Sequence, residues 1–123
     1  MALKVLVCDD ERNIVRLIQV NLERLGYQVT TAYDGREALR KISEETPDLV
    51  LLDVMMPYVD GMEVLRTMRR NPLTANVPVI LLTVQAQEGD DAAGLAAGAD
   101  FYMTKPFNPD ELQEFLKKIC VSH

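Results

Sequence analysis

The sequence is short of the groups on which most active sites are built. Its one histidine is His123, the last residue, so the commonest general base is missing from the body of the chain. There are two cysteines, Cys8 in an apolar run and Cys120 in a helical one. They form neither a disulfide framework nor a metal-ligand cluster, and both read as small core or near-surface fillers. No apolar stretch approaches the length of a membrane span, and Met1-Ala2-Leu3-Lys4-Val5 leads into a strand rather than a signal peptide, so a cytoplasmic protein without membrane contact is expected. Basic charge is scarce: 13 Lys and Arg against 19 Asp and Glu give a net charge of -6, which argues against direct binding of nucleic acid. No P-loop, linker, repeat or low-complexity tract is present, which leaves no internal domain boundary.

What is present is a regular alternation. At 123 residues and 48% hydrophobic content the chain can build one core and not two, so residues 1–123 are read as a single domain. Short apolar or β-branched runs are separated by helical patterns, the signature of βα units around a parallel sheet. Lys4 to Cys8 is the first strand, and Ile14, Leu17, Ile18, Leu22 and Leu25 then recur at helical spacing before Gly26, a C′ residue. Tyr27 to Ala32 is a more polar strand suited to a sheet edge. Asp34 with Glu37, and Asp60 with Glu63, have capping-box spacing and open helices at Gly35 and after Asp60, the latter ended by Asn71-Pro72. Pro78 to Leu82 is the fourth strand. Gln85 to Gly98, weakened by Gly89, Gly94 and Gly98, is the least committed helix and is expected to move. Phe101 to Met103 is the fifth strand, and Asn108-Pro109 with Glu111 starts a strongly marked last helix.

The most informative stretch is Asp48 to Pro57. Leu49 to Leu52 are apolar without alternation, as in a strand covered on both faces, and the run delivers Asp53 to its carboxyl end, where ligands sit in open α/β sheets. The other strand ends carry chemistry too: Asp9 and Asp10 after the first, Thr83 after the fourth, Lys105 after the fifth. In the flavodoxin-like order 2-1-3-4-5 these ends lie on one side, with strands one, three and four adjacent. Three carboxylates so placed repel one another unless a cation neutralises them, and oxygen ligands with room for water and phosphate suit Mg²⁺. Thr83 and Lys105 would then face an anion at Asp53, as in a phosphoryl group held between metal and ammonium. An aspartate phosphorylated on its own carboxylate needs neither the histidine nor the P-loop that the chain lacks.

Taken together, Asp9-Asp10, Asp53, Met56-Pro57 with Asp60-Gly61, Thr83 and Lys105-Pro106 resemble, in order and over essentially the whole chain, the signature of the response-regulator receiver domain. The resemblance implies a doubly wound α/β domain with five parallel strands and five helices, acting in two-component signalling rather than as an enzyme on other substrates. It implies Asp53 as phosphoacceptor, Asp9, Asp10, Asp53 and the carbonyl of Met55 as Mg²⁺ ligands, Thr83 and Lys105 on phosphoryl oxygens, and Tyr102 as the switch aromatic. It further implies a cis peptide at Lys105-Pro106. A histidine kinase or histidine phosphotransfer protein would donate the phosphoryl group. An effector, an attached output domain or a second copy would read out the surface made by the fourth helix, the fifth strand and the last helix.

Other readings stand beside it. A haloacid-dehalogenase-type phosphohydrolase also uses a strand-end Asp but places a second acid two residues on, where this chain has Met55. A flavodoxin-like cofactor binder needs a Ser-, Thr- and Gly-rich loop where this chain has Asp9-Asp10-Glu11. A receiver that docks without being phosphorylated would keep the same residues. Individually, Asp10 fits a cap of the first helix and Tyr102 an ordinary half-buried tyrosine. Val84 departs from the small residue usual after Thr83 and would crowd the route to Asp53. Met55 and Gln85 occupy the positions that tune hydrolysis in the family, and Met55 orients water poorly. The cognate kinase and the output are not written in the sequence.

Overall fold

In a computed structural model, residues 3–83, 98–104 and 108–122 of the chain are described. The central strand is β3, Leu49–Asp53, every residue of which is buried. It is flanked by β1 (Lys4–Cys8) and β4 (Val79–Thr83), with β2 (Gln28–Ala32) and β5 (Phe101–Thr104) at the edges. All pairs are parallel and the order is β2-β1-β3-β4-β5, the doubly wound arrangement expected. Helices α1 (Arg12–Arg24), α2 (Gly35–Glu44), α3 (Gly61–Arg70) and α4 (Pro109–Ser122) cover the sheet. The expected helix between Gln85 and Gly98, and Lys105 with the Lys105-Pro106 peptide, fall outside the described residues apart from Gly98 itself.

Period-two alternation divides the strands between two cores. Leu6, Cys8, Val50, Leu52, Val79 and Leu81 point to one face, where Ala38 and Ile42 of α2 and Val64, Leu65 and Met68 of α3 meet them. Val5, Val7, Leu49, Leu51, Ile80 and Leu82 point to the other, against Val15, Ile18 and Leu22 of α1 and Leu112 and Leu116 of α4. Both faces are thus dry, which is why these strands read as continuous apolar runs. The polar strand β2, with alternating exposure, lies at the edge.

Local signals act as their chemistry requires. The carboxylates of Asp34 and Asp60 accept the backbone N–H of Glu37 and Glu63 at 2.8 and 2.9 Å, satisfying donors that a helix start leaves unpaired. Asn108 does the same for Asp110 at 2.9 Å and Glu111 at 3.4 Å. Strand boundaries shift by one residue from the sequence expectation at the starts of β2 and β4 and at the ends of β4 and β5, which reach Thr83 and Thr104. Tyr27 does not join β2, because its N–H closes a Schellman cap on the Leu22 carbonyl while the Gly26 N–H reaches Glu23 and Gly26 takes φ 94°. Pro78 stands just before β4 and its carbonyl accepts the Val50 N–H, so a residue with no donor opens the strand at no loss.

Candidate functional site

The register brings the acids together. Cys8 is level with Leu52, so the next residues, Asp9 and Asp53, emerge side by side from the carboxyl ends of β1 and β3. Asp9 remains tied to the sheet through its N–H to the Ala32 carbonyl, at 3.1 Å. Asp53 and Asp9 are 2% and 0% exposed, whereas Asp10 faces solvent. One carboxylate oxygen from each of Asp9, Asp10 and Asp53 lies within 4.8 Å of the others. Asp10 is not the cap of α1: Glu11 holds that position without a capping hydrogen bond from its side chain.

Backbone donors orient two of the carboxylates. Oδ1 of Asp9 accepts the Glu11 N–H at 2.9 Å, and Oδ1 of Asp53 accepts the Met55 N–H at 3.2 Å. Each bond spans two residues, the local turn that aspartate favours. An octahedral Mg²⁺ keeps its ligand oxygens about 3–4 Å apart, so small rotamer changes would let these three share one ion. The donor set is all oxygen, with two acids buried and one open to water, and it fits a hard cation.

Of the remaining expected residues, Thr83, Tyr102 and Met55 are among those described. Thr83, half-buried, ends β4 and is paired with Thr104 of β5, the residue before Lys105. Tyr102 is level with Leu81 and packs half-buried against the core that contains Val64 and Met68. Met55 is 72% exposed on the loop that follows Asp53. Lys105, Val84 and Gln85 lie outside the described residues. Cys8, beside Asp9 in sequence, is fully buried, and burial pushes its thiol well above the usual range, which removes it as a nucleophile.

Sequence reasoning did not find what fixes the loop from Val54 to Asp60. The Gly61 N–H bonds the Val54 carbonyl at 2.9 Å, and a Cβ on Gly61 would stand 2.0 Å from the Asp53 carbonyl oxygen. A Cβ on Gly35 would stand 1.7 Å from the Val59 carbonyl oxygen. Both glycines open helices, so their spacing reads only as capping chemistry until the close backbone approach is seen.

A sequence model described as the response regulator receiver domain matches residues 5–117. Over 116 residues the chain is 52% identical to the alkaline phosphatase synthesis transcriptional regulatory protein PhoP of Bacillus subtilis strain 168, covering 94% of this chain and 48% of that protein. The chain therefore spans about half the length of that relative. Among solved structures, the chemotaxis protein CheY4 of Vibrio cholerae aligns at TM-score 0.90 and 34% identity, over 97% of this chain and 99% of that one. The receiver domain of sensor histidine kinase PA1611 from Pseudomonas aeruginosa PAO1, with a magnesium ion coordinated in its active-site cleft, aligns at TM-score 0.88 and 34% identity, over 96% and 97% of the two chains.

Proposed function

The chain belongs to the response-regulator receiver family of two-component signalling, and we propose that Asp53 is its phosphoacceptor, working with Mg²⁺. One observation carries the reading: a buried carboxylate at the end of the central strand has two more carboxylates within 4.8 Å, an arrangement that makes no sense for stability and good sense for a metal-assisted phosphoryl site. Asp9, Asp10 and Asp53, with the Met55 carbonyl, would hold the ion. When bound, Mg²⁺ neutralises the acids and polarises the phosphoryl oxygens.

The chain's own residues do the rest. A carboxylate oxygen of Asp53 attacks phosphorus, and a P–O bond forms as the bond to the donor's leaving group breaks. That group departs with the electron pair: the imidazole nitrogen of a phosphohistidine, or the acetate of acetyl phosphate. The Met55 N–H holds Oδ1 and so limits the rotation of the nucleophile. Thr83 and Lys105 take the phosphoryl oxygens. A histidine kinase or histidine phosphotransfer protein is the donor. Drawing the Thr83 hydroxyl toward the phosphoryl group changes the packing of Tyr102 on the adjacent strand, and an effector or a second copy reads the surface that includes β5 and α4. A transcriptional output in a longer protein is supported by the B. subtilis relative, which is a transcriptional regulatory protein.

Mass spectrometry after incubation with acetyl phosphate tests the assignment. The wild type should gain one phosphoryl group only with Mg²⁺, and Asp53→Asn none. A Mg²⁺-dependent phosphoryl group retained in Asp53→Asn would move the acceptor elsewhere, and an unmodified wild type would leave the non-phosphorylated docking role.

A further inference from the structure

We propose that Arg36 and Tyr58 form a latch that holds the loop after Asp53, making both of them positioning residues for the metal and phosphoryl site; the proposal rests on the function assigned above. The starting observation is a backbone anomaly. Tyr58 is the only described non-glycine residue with a positive φ, at 70°, and the Val59 N–H bonds the Pro57 carbonyl at 2.9 Å across it. A three-residue turn with a positive central φ is the rarer and strained form of the γ-turn, and a bulky aromatic is among the worst residues for it. Glycine would accept the same φ without strain.

Core packing does not account for the tyrosine, which is 73% exposed. Its ring is instead covered by a cation: the guanidinium carbon of Arg36 lies 3.8 Å from the ring centroid, well inside the range of a cation–π contact. Arg36 sits in the first turn of α2, one residue after Gly35, whose N–H points to the same Pro57 carbonyl at 3.4 Å and whose missing Cβ lets Val59 approach. The strained turn is therefore pressed between the start of α2 and the stacked pair.

One end of this loop is tied to the phosphoacceptor and the other to the residue that follows it. At one end the Met55 N–H holds Asp53 Oδ1 at 3.2 Å, and at the other the Gly61 N–H holds the Val54 carbonyl at 2.9 Å. Releasing Tyr58 from its left-handed turn would let the intervening residues redistribute, and the Met55 peptide would follow. The metal site would lose pre-organisation although every carboxylate remained. A side-chain pair on the surface thus sets the geometry of a buried nucleophile.

The test is Mg²⁺ binding to the full chain by isothermal titration, beside circular dichroism as a check of folding, for Arg36→Ala, Tyr58→Ala, the double variant, Tyr58→Phe and Asp10→Asn. An exposed cation–π contact corresponds to about a two- to fivefold change in affinity. Arg36→Ala and Tyr58→Ala should each weaken Mg²⁺ by that factor, the double variant should be no weaker than the worse single one, and Tyr58→Phe should restore binding because it keeps the ring face. Wild-type affinity in both single variants, or fully additive losses, would overturn the latch while leaving the receiver assignment standing. If the wild type binds Mg²⁺ no better than Asp10→Asn, the receiver chemistry fails and the latch falls with it.

Discussion

At the amino ends of the strands, aspartates are surrounded by donors. The Asp48 carboxylate accepts the Lys4 N–H at 2.8 Å, and Asp100 accepts the Val79 N–H at 2.9 Å while Arg69 reaches it at 3.3 Å. Arg69 also donates to the carbonyls of Gly98 at 2.9 Å, Val77 at 2.8 Å and Thr74 at 3.3 Å, tying α3 to the connections before β4 and β5. At the carboxyl ends the same residue type is gathered with its own kind, three carboxylates within 4.8 Å. At the amino edge the acids bind backbone and arginine donors. At the carboxyl edge Asp9 and Asp53 each accept a backbone N–H too, but there three acids stand close enough to repel one another. The difference separates residues that stabilise the fold from residues that await a ligand.

The largest effect should come from breaking the carboxyl-end loop. Gly61→Ala would place a Cβ 2.0 Å from the Asp53 carbonyl oxygen and 2.9 Å from the Val54 Cα, contacts that only a backbone shift can relieve. We expect a loss of about 3–4 kcal/mol in urea unfolding together with loss of phosphorylation. Unchanged stability would mean that α3 can move away from Asp53 at little cost.

Breaking the other edge should separate stability from function. Arg69 is 19% exposed, and its removal would leave several carbonyls and Asp100 short of a donor. Arg69→Ala should cost roughly 3 kcal/mol while acetyl phosphate labelling of the folded protein stays within about twofold of wild type. A larger fall in labelling than in stability would show that the amino edge communicates with the site.

Removing one acid should sharpen the contrast. Asp10→Asn relieves repulsion in the trio, so without Mg²⁺ the variant should unfold at slightly higher urea than wild type. Wild type should gain about 2.7 kcal/mol when Mg²⁺ is raised to 100 times its Kd, whereas the variant should gain little. If the metal-free variant were instead less stable, Asp10 would be a stabilising residue and the comparison between the edges would fail.

Much of this organisation was legible in the sequence, for identifiable reasons. Leu49 to Leu52 showed no alternation because both faces of β3 are covered, and the Asp34 and Asp60 caps were visible because capping chemistry is local. The acidic trio could be anticipated because a parallel sheet sends every strand end to one side. Tyr27 reads as strand but lies outside β2, because a Schellman cap claims its N–H in competition with the ladder. The Arg36 and Tyr58 pair left no trace in the sequence, since 22 positions separate them and their contact depends on how α2 meets the loop. The 2.0 Å approach at Gly61 was equally hidden, because a glycine at a helix start has an ordinary local explanation.

The smallest effect is expected from an exposed ion pair at the amino edge. Lys4 pairs with Glu45, and this hydrogen bond, with the charge of Glu45 behind it, raises the lysine above its ordinary value of 10.5. A raised lysine contributes stability that is present in full below the unfolded value and is lost as the pH climbs through the folded one. The side chains are 49% and 61% exposed, so solvent and salt screen the pair. Glu45→Gln should therefore shift the melting temperature at pH 7 only slightly, far less than Arg69→Ala, and that small difference should shrink in 1 M salt and vanish at pH values above the lysine's folded range. A shift as large as that of Arg69→Ala, unmoved by salt, would mean that exposed pairing and buried donation stabilise this edge equally, and that burial is not what distinguishes Arg69.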